Sequence, residues 1–305
     1  MGALDIARTL AELPMLLKLK KAGDPQPFDT TDCLAARFEQ TAERCADRPA
    51  IFFEEQEINW RELNRMSNRY AGALRELGLT RGDAVSMVME NRVAFIAALM
   101  AMNKLGLVAA LINTNLAGRQ LAHCVNITGS RACLFGEERL ANIDDVRTAQ
   151  ELEAIEHFLY CADHGETACP DWAQDIDELA RDQSQDNPPE TAANTLGDPA
   201  LYIYTSGTTG LPKAAVISNR RLLLTAILSW MGGLQCTERD RIYLCLPLYH
   251  GTGLFLGVGS ALSTGAAMII RRRFSASKFL PEIREYGATC FIYIGELCRY
   301  LLHTT

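Results

Sequence analysis

Short apolar segments alternate with longer amphipathic segments along most of this 305-residue sequence. Arg61–Leu77 has helical periodicity, and Asp83–Met89 after it has the character of a buried strand. A second helix is predicted over Arg92–Lys104, ending at Gly106, and a second strand over Leu107–Leu111. Strands joined by helices at this spacing lie parallel in one sheet. The alternation therefore predicts an α/β fold with layered, largely parallel sheets flanked by helices.

The alternation weakens between residues 136 and 179, where Phe158–Tyr160 is the one strand predicted. Residues 181–199 are polar and rich in turn-forming residues, which predicts a long surface loop or a connection between subdomains. Beyond this segment the pattern predicts helices over 220–230, 253–262 and 275–285, strands over 241–245, 267–270 and 289–294, and a last helix from about Glu296. The same strand and helix order thus resumes in the last third of the chain.

These changes in pattern predict four parts. Residues 1–28 are an N-terminal amphipathic segment, and residues 29–182 are a first α/β subdomain. Residues 183–199 are a loop, and residues 200–305 are a second α/β subdomain. We expect this second subdomain to be incomplete at its C-terminal end.

The N-terminal segment has two interpretations. Lysines at 18, 20 and 21 follow a set of apolar residues. These apolar residues lie on one face of a helix: Ile6, Leu10, Leu13, Leu16 and Leu17. The segment is too short and too charged to span a membrane, and it lacks the cleavage site of a secretory signal. It is either a helix docked on the domain or a peripheral membrane contact through residues 1–21. A cytoplasmic protein is predicted, with the inner face of the membrane as the place of any such contact.

Charge and cysteine content exclude several classes of function. The net charge is −7 and the sequence has no basic stripe, so we expect no nucleic-acid partner. The ten cysteines form no CxxC pair and lie mostly in apolar stretches, which predicts reduced, buried thiols. The five histidines are scattered, so no metal site of protein ligands is predicted.

The most unusual stretch is the loop Tyr204–Lys213. It is flanked by Ala200–Ile203 and Ala214–Ile217, both predicted to be buried strands. Its polar residues suit an anion with several oxygens, because hydroxyls and backbone N–H groups donate and a lysine adds charge. The candidate binding residues are Thr205, Ser206, Gly207, Thr208, Thr209, Gly210 and Lys213. We therefore predict a phosphate-binding loop.

Two common nucleotide motifs do not fit this loop. A Walker A motif needs Gly-Lys-Ser/Thr leading into a helix, whereas Lys213 follows Pro212 and precedes a strand-like segment. The GxGxxG pattern of dinucleotide-binding folds is absent as well.

The string from Tyr204 to Lys213 closely resembles the phosphate loop of the adenylate-forming (AMP-binding) superfamily. Leu246–Gly253, which contains His250, resembles that family's next motif. Ala110–Leu116 and Tyr293–Leu302 are similar to the branch of fatty-acid transport proteins and long-chain and very-long-chain acyl-CoA synthetases. The resemblance covers the chain from about residue 30 to its end.

This resemblance implies an ATP-dependent long-chain fatty acyl-CoA ligase that works through an acyl-adenylate, with ATP, Mg²⁺ and coenzyme A taking part. The loop would hold the phosphates, with Lys213 near the β and γ phosphates. His250 would lie between the nucleotide and the carboxylate of the fatty acid. Lys213 and His250 are therefore the candidate catalytic residues. The helix from Gly253 and the strand leading into Gly295 are candidate walls of an acyl tunnel.

Other features of the family are absent from these 305 residues. They include a Tyr-Gly-x-Thr-Glu motif, a ribose-binding aspartate and a small C-terminal domain with a catalytic lysine. We therefore expect an N-terminal portion that does not form thioesters alone. Two alternatives remain open: a membrane-associated fatty-acid uptake protein, and a ligase for another carboxylic acid.

Overall fold

A computed structural model describes residues 13–17, 19–21, 23–24, 26–152, 154–205 and 210–303. Its strands are β1 (Pro49–Phe53), β2 (Gln56–Asn59), β3 (Ala84–Val88), β4 (Val108–Leu111), β5 (Ala132–Gly136), β6 (His157–Cys161), β7 (Gln174–Asp175), β8 (Pro199–Thr205), β9 (Lys213–Ser218), β10 (Arg241–Leu244), β11 (Ala267–Ile270) and β12 (Cys290–Ile292). Its α-helices are α1 (Leu34–Arg44), α2 (Trp60–Glu76), α3 (Val93–Leu105), α4 (Gly118–Asn126), α5 (Leu140–Thr148), α6 (Ile176–Ala180), α7 (Asn219–Ile227), α8 (Gly259–Thr264), α9 (Ala276–Glu285) and α10 (Gly295–Leu302).

The strands form two sheets. One has seven strands in the order β7-β6-β5-β3-β4-β8-β9, and the other has five in the order β12-β10-β11-β1-β2. Neighbouring strands are parallel except at the two hairpins β8–β9 and β1–β2. The predicted α/β architecture of largely parallel, helix-flanked sheets is confirmed.

The two sheets exchange strands along the chain. β8 belongs to the second predicted subdomain by sequence, but it pairs with β4 of the first in the seven-stranded sheet, with Leu201 opposite Ala109. Conversely, β1 belongs to the first predicted subdomain by sequence, but it pairs with β11 of the second in the five-stranded sheet, with Ile51 opposite Met268. The predicted boundary at residues 183–199 therefore does not coincide with the division between the sheets.

Helix α3 is buried on every side. Every residue from Val93 to Leu105 is buried, because the helix lies between layers and no face meets solvent. Gly106 ends it with φ of 70°, a left-handed conformation that glycine adopts without strain. The prediction differed from the observed helix by one residue at each end.

Elsewhere the observed elements differ from the predicted ones. β9 is an edge strand rather than a buried one, and the side chain of Val216 is 53% exposed. Helices α5 and α6 lie in the region where only one strand was predicted. The helices predicted over 220–230 and 253–262 are partly π-helical, over Leu228–Leu234 and Thr252–Val258.

The polar segment 183–199 is fastened to the helices through a buried lysine. Lys104 is fully buried, and its ammonium donates to Glu39 at 2.8 Å, to Asn68 at 2.6 Å and to Asn187 at 3.2 Å. Burial lowers the pKa of Lys104 to about 8, against the opposing effect of Glu39. Asn194 also donates to the carbonyl groups of residues 103 and 104. This segment is therefore anchored to the preceding helices at two points along its length.

The N-terminal helix is described only in part. Residues 13–17 and 19–21 are helical, whereas Ile6 and Leu10 lie outside the described residues. The amide of Gln235 lies 3.4 Å from the sulfur of Met15, so this helix contacts the π-helical segment at 228–234. Among the described residues, no helix combines the length and apolar character that a membrane crossing needs.

Candidate active site

A cleft of about 220 Å³ brings the two predicted motifs together. It is lined by Leu111, Asn113, Leu116, Tyr204, Thr205, Pro212, Tyr249 and His250. β4 and β8 are parallel neighbours that end at Leu111 and Thr205, so both open onto the same edge of the seven-stranded sheet. Ligands of open α/β sheets bind beyond this carboxyl edge.

Two of the phosphate-loop candidates, Thr205 and Lys213, lie at the base of the β8–β9 hairpin. Thr205 pairs with Lys213 across its base, and both residues are exposed. Gly210 has φ of 84°, a conformation that a side chain would strain. Ser206, Gly207, Thr208 and Thr209 lie outside the described residues. The described part of the loop thus presents a hydroxyl and an ammonium side by side.

The turn that carries His250 is held in place by Asn91. The Asn91 amide donates to the carbonyl of Leu246 at 2.9 Å and to that of Arg271 at 3.0 Å. Its oxygen accepts from the N–H of Leu248 at 2.8 Å. Asn91 follows β3 in the seven-stranded sheet, whereas its partners follow β10 and β11 in the other. One buried side chain therefore ties the ends of both sheets together below the cleft.

Sequence reasoning missed Asn91. The available signal was a polar residue directly after an apolar strand, at the edge where parallel strands present ligand-binding groups. The side chain is 3% exposed, so its polar atoms need partners within the protein.

Tyr249 separates the cleft from a second one of about 260 Å³. Its ring centroid lies 5.9 Å from that of His250, and the histidine itself is exposed. Burial raises the pKa of Tyr249, partly offset by a hydrogen bond with Thr114. The phenol therefore stays neutral beside the exposed imidazole.

Helix α4 touches the hairpin on both of its strands. The Tyr204 hydroxyl donates to the carbonyl of Cys124 at 2.5 Å. On the other strand, Nε2 of His123 lies 2.9 Å from the carbonyl oxygen of Pro212. Neither contact was predicted, because a histidine and a cysteine inside an amphipathic helix carry no sequence signal of function.

The predicted acyl-tunnel walls lie away from this cleft. Neither Gly253 nor Ile294 borders it, and Gly253 is buried whereas Ile294 is 47% exposed. Within the part of the chain that the structure describes, no three His, Cys, Asp or Glu side chains come together as a metal site would require.

A sequence model described as AMP-binding enzyme matches residues 38–305. The chain belongs to the AMP-binding enzyme family. The match includes both motifs that meet in the cleft, and the predicted family is confirmed.

Individual AMP-binding relatives include proteins of fatty-acid metabolism. The chain is 30% identical over 301 residues to a medium/long-chain-fatty-acid–CoA ligase of Mycobacterium tuberculosis, covering 99% of this chain and 48% of that protein. It is 36% identical over 255 residues to long-chain fatty acid transport protein 6 of Mus musculus, covering 82% of this chain and 40% of that protein. The chain thus spans about half the length of these relatives or less.

Solved structures of AMP-binding enzymes share the fold. The N-terminal domain of FACL13 from Mycobacterium tuberculosis, determined with an inhibitor, matches with a TM-score of 0.78 and 25% identity, over 88% of this chain and 64% of that one. An anthranilate CoA ligase in complex with anthranoyl-AMP matches with a TM-score of 0.79 and 24% identity, over 88% of this chain and 50% of that one.

Proposed function

We propose that this chain carries the ATP-binding part of an acid–CoA ligase that acts on long-chain fatty acids. The overall reaction joins a fatty acid to coenzyme A and converts ATP to AMP and pyrophosphate. The observation that supports it best is the cleft, because it brings Thr205 of the phosphate loop next to His250 of the second motif.

In the first step, a carboxylate oxygen forms a bond to the α-phosphorus of ATP, and the bond to pyrophosphate breaks. In the second step, the sulfur of coenzyme A bonds to the acyl carbon, and AMP leaves. The first step brings two anions together, so the site must supply donors and positive charge. We assign these roles to the backbone at Gly207 and Gly210, the hydroxyls of Thr205, Ser206, Thr208 and Thr209, and the ammonium of Lys213.

His250 lines the same cleft as Thr205, and we propose that the acid approaches beside it. An exposed imidazole can donate a hydrogen bond to a carboxylate oxygen in either of its protonation states. We propose that it orients the acid toward the nucleotide. Tyr249 beside it supplies an aromatic wall for the first carbons of the acid.

Magnesium would neutralise the charge of the phosphates in this reaction. The described residues offer it no cluster of protein ligands, so we propose that the phosphates of ATP and the hydroxyls of the loop hold it. The names of the relatives support a long-chain acid in preference to an aryl or amino acid.

Replacing Lys213 tests the nucleotide site. Lys213→Met should weaken binding of MgATP by the 305-residue chain about tenfold or more, because a charge-assisted hydrogen bond contributes roughly 1.5–3 kcal/mol. Lys213→Arg should retain most of the affinity. Lys278→Met, at another exposed lysine, should leave it unchanged. Isothermal titration calorimetry measures all four proteins, and equal affinity of Lys213→Met and wild type would contradict the proposal.

We also propose a peripheral contact between the N-terminal helix and the inner face of the membrane. Leu13, Leu16 and Leu17 are 44%, 47% and 58% exposed, and Lys20 and Lys21 near them are exposed as well. Apolar side chains next to lysines suit the surface of an anionic bilayer.

Removing residues 1–23 tests this contact. The full chain should sediment with vesicles that contain anionic lipid and less with neutral ones, whereas the shortened chain should remain in solution with both. Equal sedimentation of the two chains with anionic vesicles would refute the contact.

A further inference from the structure

The position of the phosphate loop depends on helix α4, which precedes it by some 80 residues in sequence. The helix ends at Asn126, so the carbonyl groups of its last turn have no partners within the helix. Ile127 donates to the carbonyl of His123, and Thr128 donates to that of Val125. The carbonyl of Cys124 is satisfied by Tyr204, the residue before the cleft-lining Thr205. The hydroxyl of β8 therefore completes the end of this helix.

The same helical turn holds the other strand of the hairpin. A carbonyl oxygen can only accept, so the contact of 2.9 Å requires Nε2 of His123 to carry the hydrogen and donate it to Pro212. Pro212 lies directly before Lys213, which pairs with Thr205. The donor is present in both the protonated imidazole and the neutral tautomer with hydrogen on Nε2.

These two contacts place adjacent residues of one helix against both ends of the loop. β9 is an edge strand, so β8 is its one neighbour in the sheet. The side chain of Lys213 is exposed, and its backbone position depends on that pairing and on the contact at Pro212. Losing the His123 contact would let the end of β9 drift away from the cleft. The segment before α4 also lines the cleft, at Asn113 and Leu116. It thereby links the helix to the cleft in which we propose that the fatty acid binds.

We propose that His123 is a positioning residue for the nucleotide: it fixes Pro212 and so places Lys213 at the β and γ phosphates of ATP. This inference rests on the proposed function. It predicts that the histidine affects binding of the terminal phosphates and not of the adenosine part. AMP, which lacks those phosphates, is therefore the matched ligand.

The test compares His123→Leu with His123→Gln in the 305-residue chain. A glutamine amide can reach the same carbonyl as a donor, whereas leucine fills the space without donating. We expect His123→Leu to weaken binding of MgATP about tenfold, to change binding of AMP less than about twofold, and to leave the melting temperature within a few degrees of wild type. His123→Gln should stay within about twofold of wild type for both ligands.

Hydrogen exchange provides a readout that needs no nucleotide. In His123→Leu, the amides of Lys213–Val216 should exchange faster, while those of the central strand β3 stay unchanged. Unchanged exchange in β9 would overturn the proposal, as would unchanged affinity for ATP. Equal losses for ATP and AMP, or equal effects of glutamine and leucine, would also overturn it. If wild type fails to bind ATP, the proposed function fails, and the exchange comparison still decides whether His123 holds the strand.

Discussion

Raising the pH from 9 to 11 is expected to lower the free energy of unfolding of this protein by several kcal/mol, because burial opposes the ionisation of several thiols in its interior. All ten cysteines are free. Burial raises the pKa of Cys133, Cys161 and Cys245 from 9.0 to about 12, and that of Cys124 and Cys236 to about 11. Each of these side chains is at most 4% exposed.

The sign follows from the protons that each state binds. Between pH 9 and the raised pKa, a buried thiol keeps its proton, whereas the same thiol in the unfolded chain has lost it. The unfolded state therefore binds fewer protons, and the free energy of unfolding falls as the pH rises. At pH 11, a pKa raised from 9.0 to about 12 lowers it by roughly 2.7 kcal/mol per thiol. Three such groups together lower the free energy of unfolding by about 8 kcal/mol, which is a large part of a typical stability of about 5–15 kcal/mol.

Lys104 acts in the opposite direction over part of this range. Its pKa is lowered from 10.5 to about 8, so between these values the unfolded state binds the additional proton and stability rises with pH. One lysine opposes several thiols, so the net effect remains a loss of stability.

Urea unfolding at pH 7.5, 9, 10 and 11, followed by circular dichroism with reductant present, measures this dependence. Cys133→Ala removes one ionising group. The free energy of unfolding of this variant should therefore fall less steeply between pH 9 and 11, with a slope smaller than that of wild type by about 1.4 kcal/mol per pH unit. Its stability at pH 7.5 should already be lower, because a buried sulfur is removed. A free energy of unfolding that stays constant up to pH 11 would contradict the prediction.

Replacing Asn91 should have the second large effect. Asn91→Leu would leave the carbonyls of Leu246 and Arg271 and the N–H of Leu248 without their side-chain partner. An unsatisfied buried polar group costs about 1–3 kcal/mol. We expect the free energy of unfolding to fall by about 3–5 kcal/mol, allowing for some relaxation of the turn.

Asn115→Leu is the matched control. Asn115 and Asn91 both line the second cleft, beside Tyr249, but Asn115 is exposed. Its free energy of unfolding should change by less than about 0.5 kcal/mol. Urea unfolding of the two variants at pH 7.5 gives the comparison. Any folded Asn91→Leu should also bind the fatty acid more weakly, because the turn that carries His250 loses its anchor. A loss below about 1 kcal/mol would show that the turn finds other partners.

Local chemistry explains which parts of the fold could be predicted. Helix α3 and strand β4 were predicted to within one residue, because a largely apolar run and a terminating glycine act over a few residues. The string from Tyr204 to Lys213 could be recognised as well, since its hydroxyls, glycines and lysine are contiguous, and its binding of phosphate stays a prediction. The family assignment followed from that string and was confirmed.

The remaining features depend on residues far apart in the chain. No local pattern indicates that Ile51 pairs with Met268, or that β9 lies at an edge. The roles of Asn91 and His123 depend on backbone groups more than 80 residues away. Periodicity and motif spacing cannot predict that a side chain binds the backbone of an element far away in the sequence.

The exchange of strands between the sheets bears on how the protein is made. As the chain leaves the ribosome, β1 and β2 emerge early, yet β11, the parallel partner of β1, ends only at Ile270. The seven-stranded sheet is likewise incomplete until β8 and β9 have been made. The edge of β1 that faces β11 must therefore stay unpaired until residue 270 has been made, which slows folding and exposes an apolar edge to chaperones. A protease cut within residues 183–199 would yield two pieces that each contain strands of both sheets, so each piece would need the other to fold.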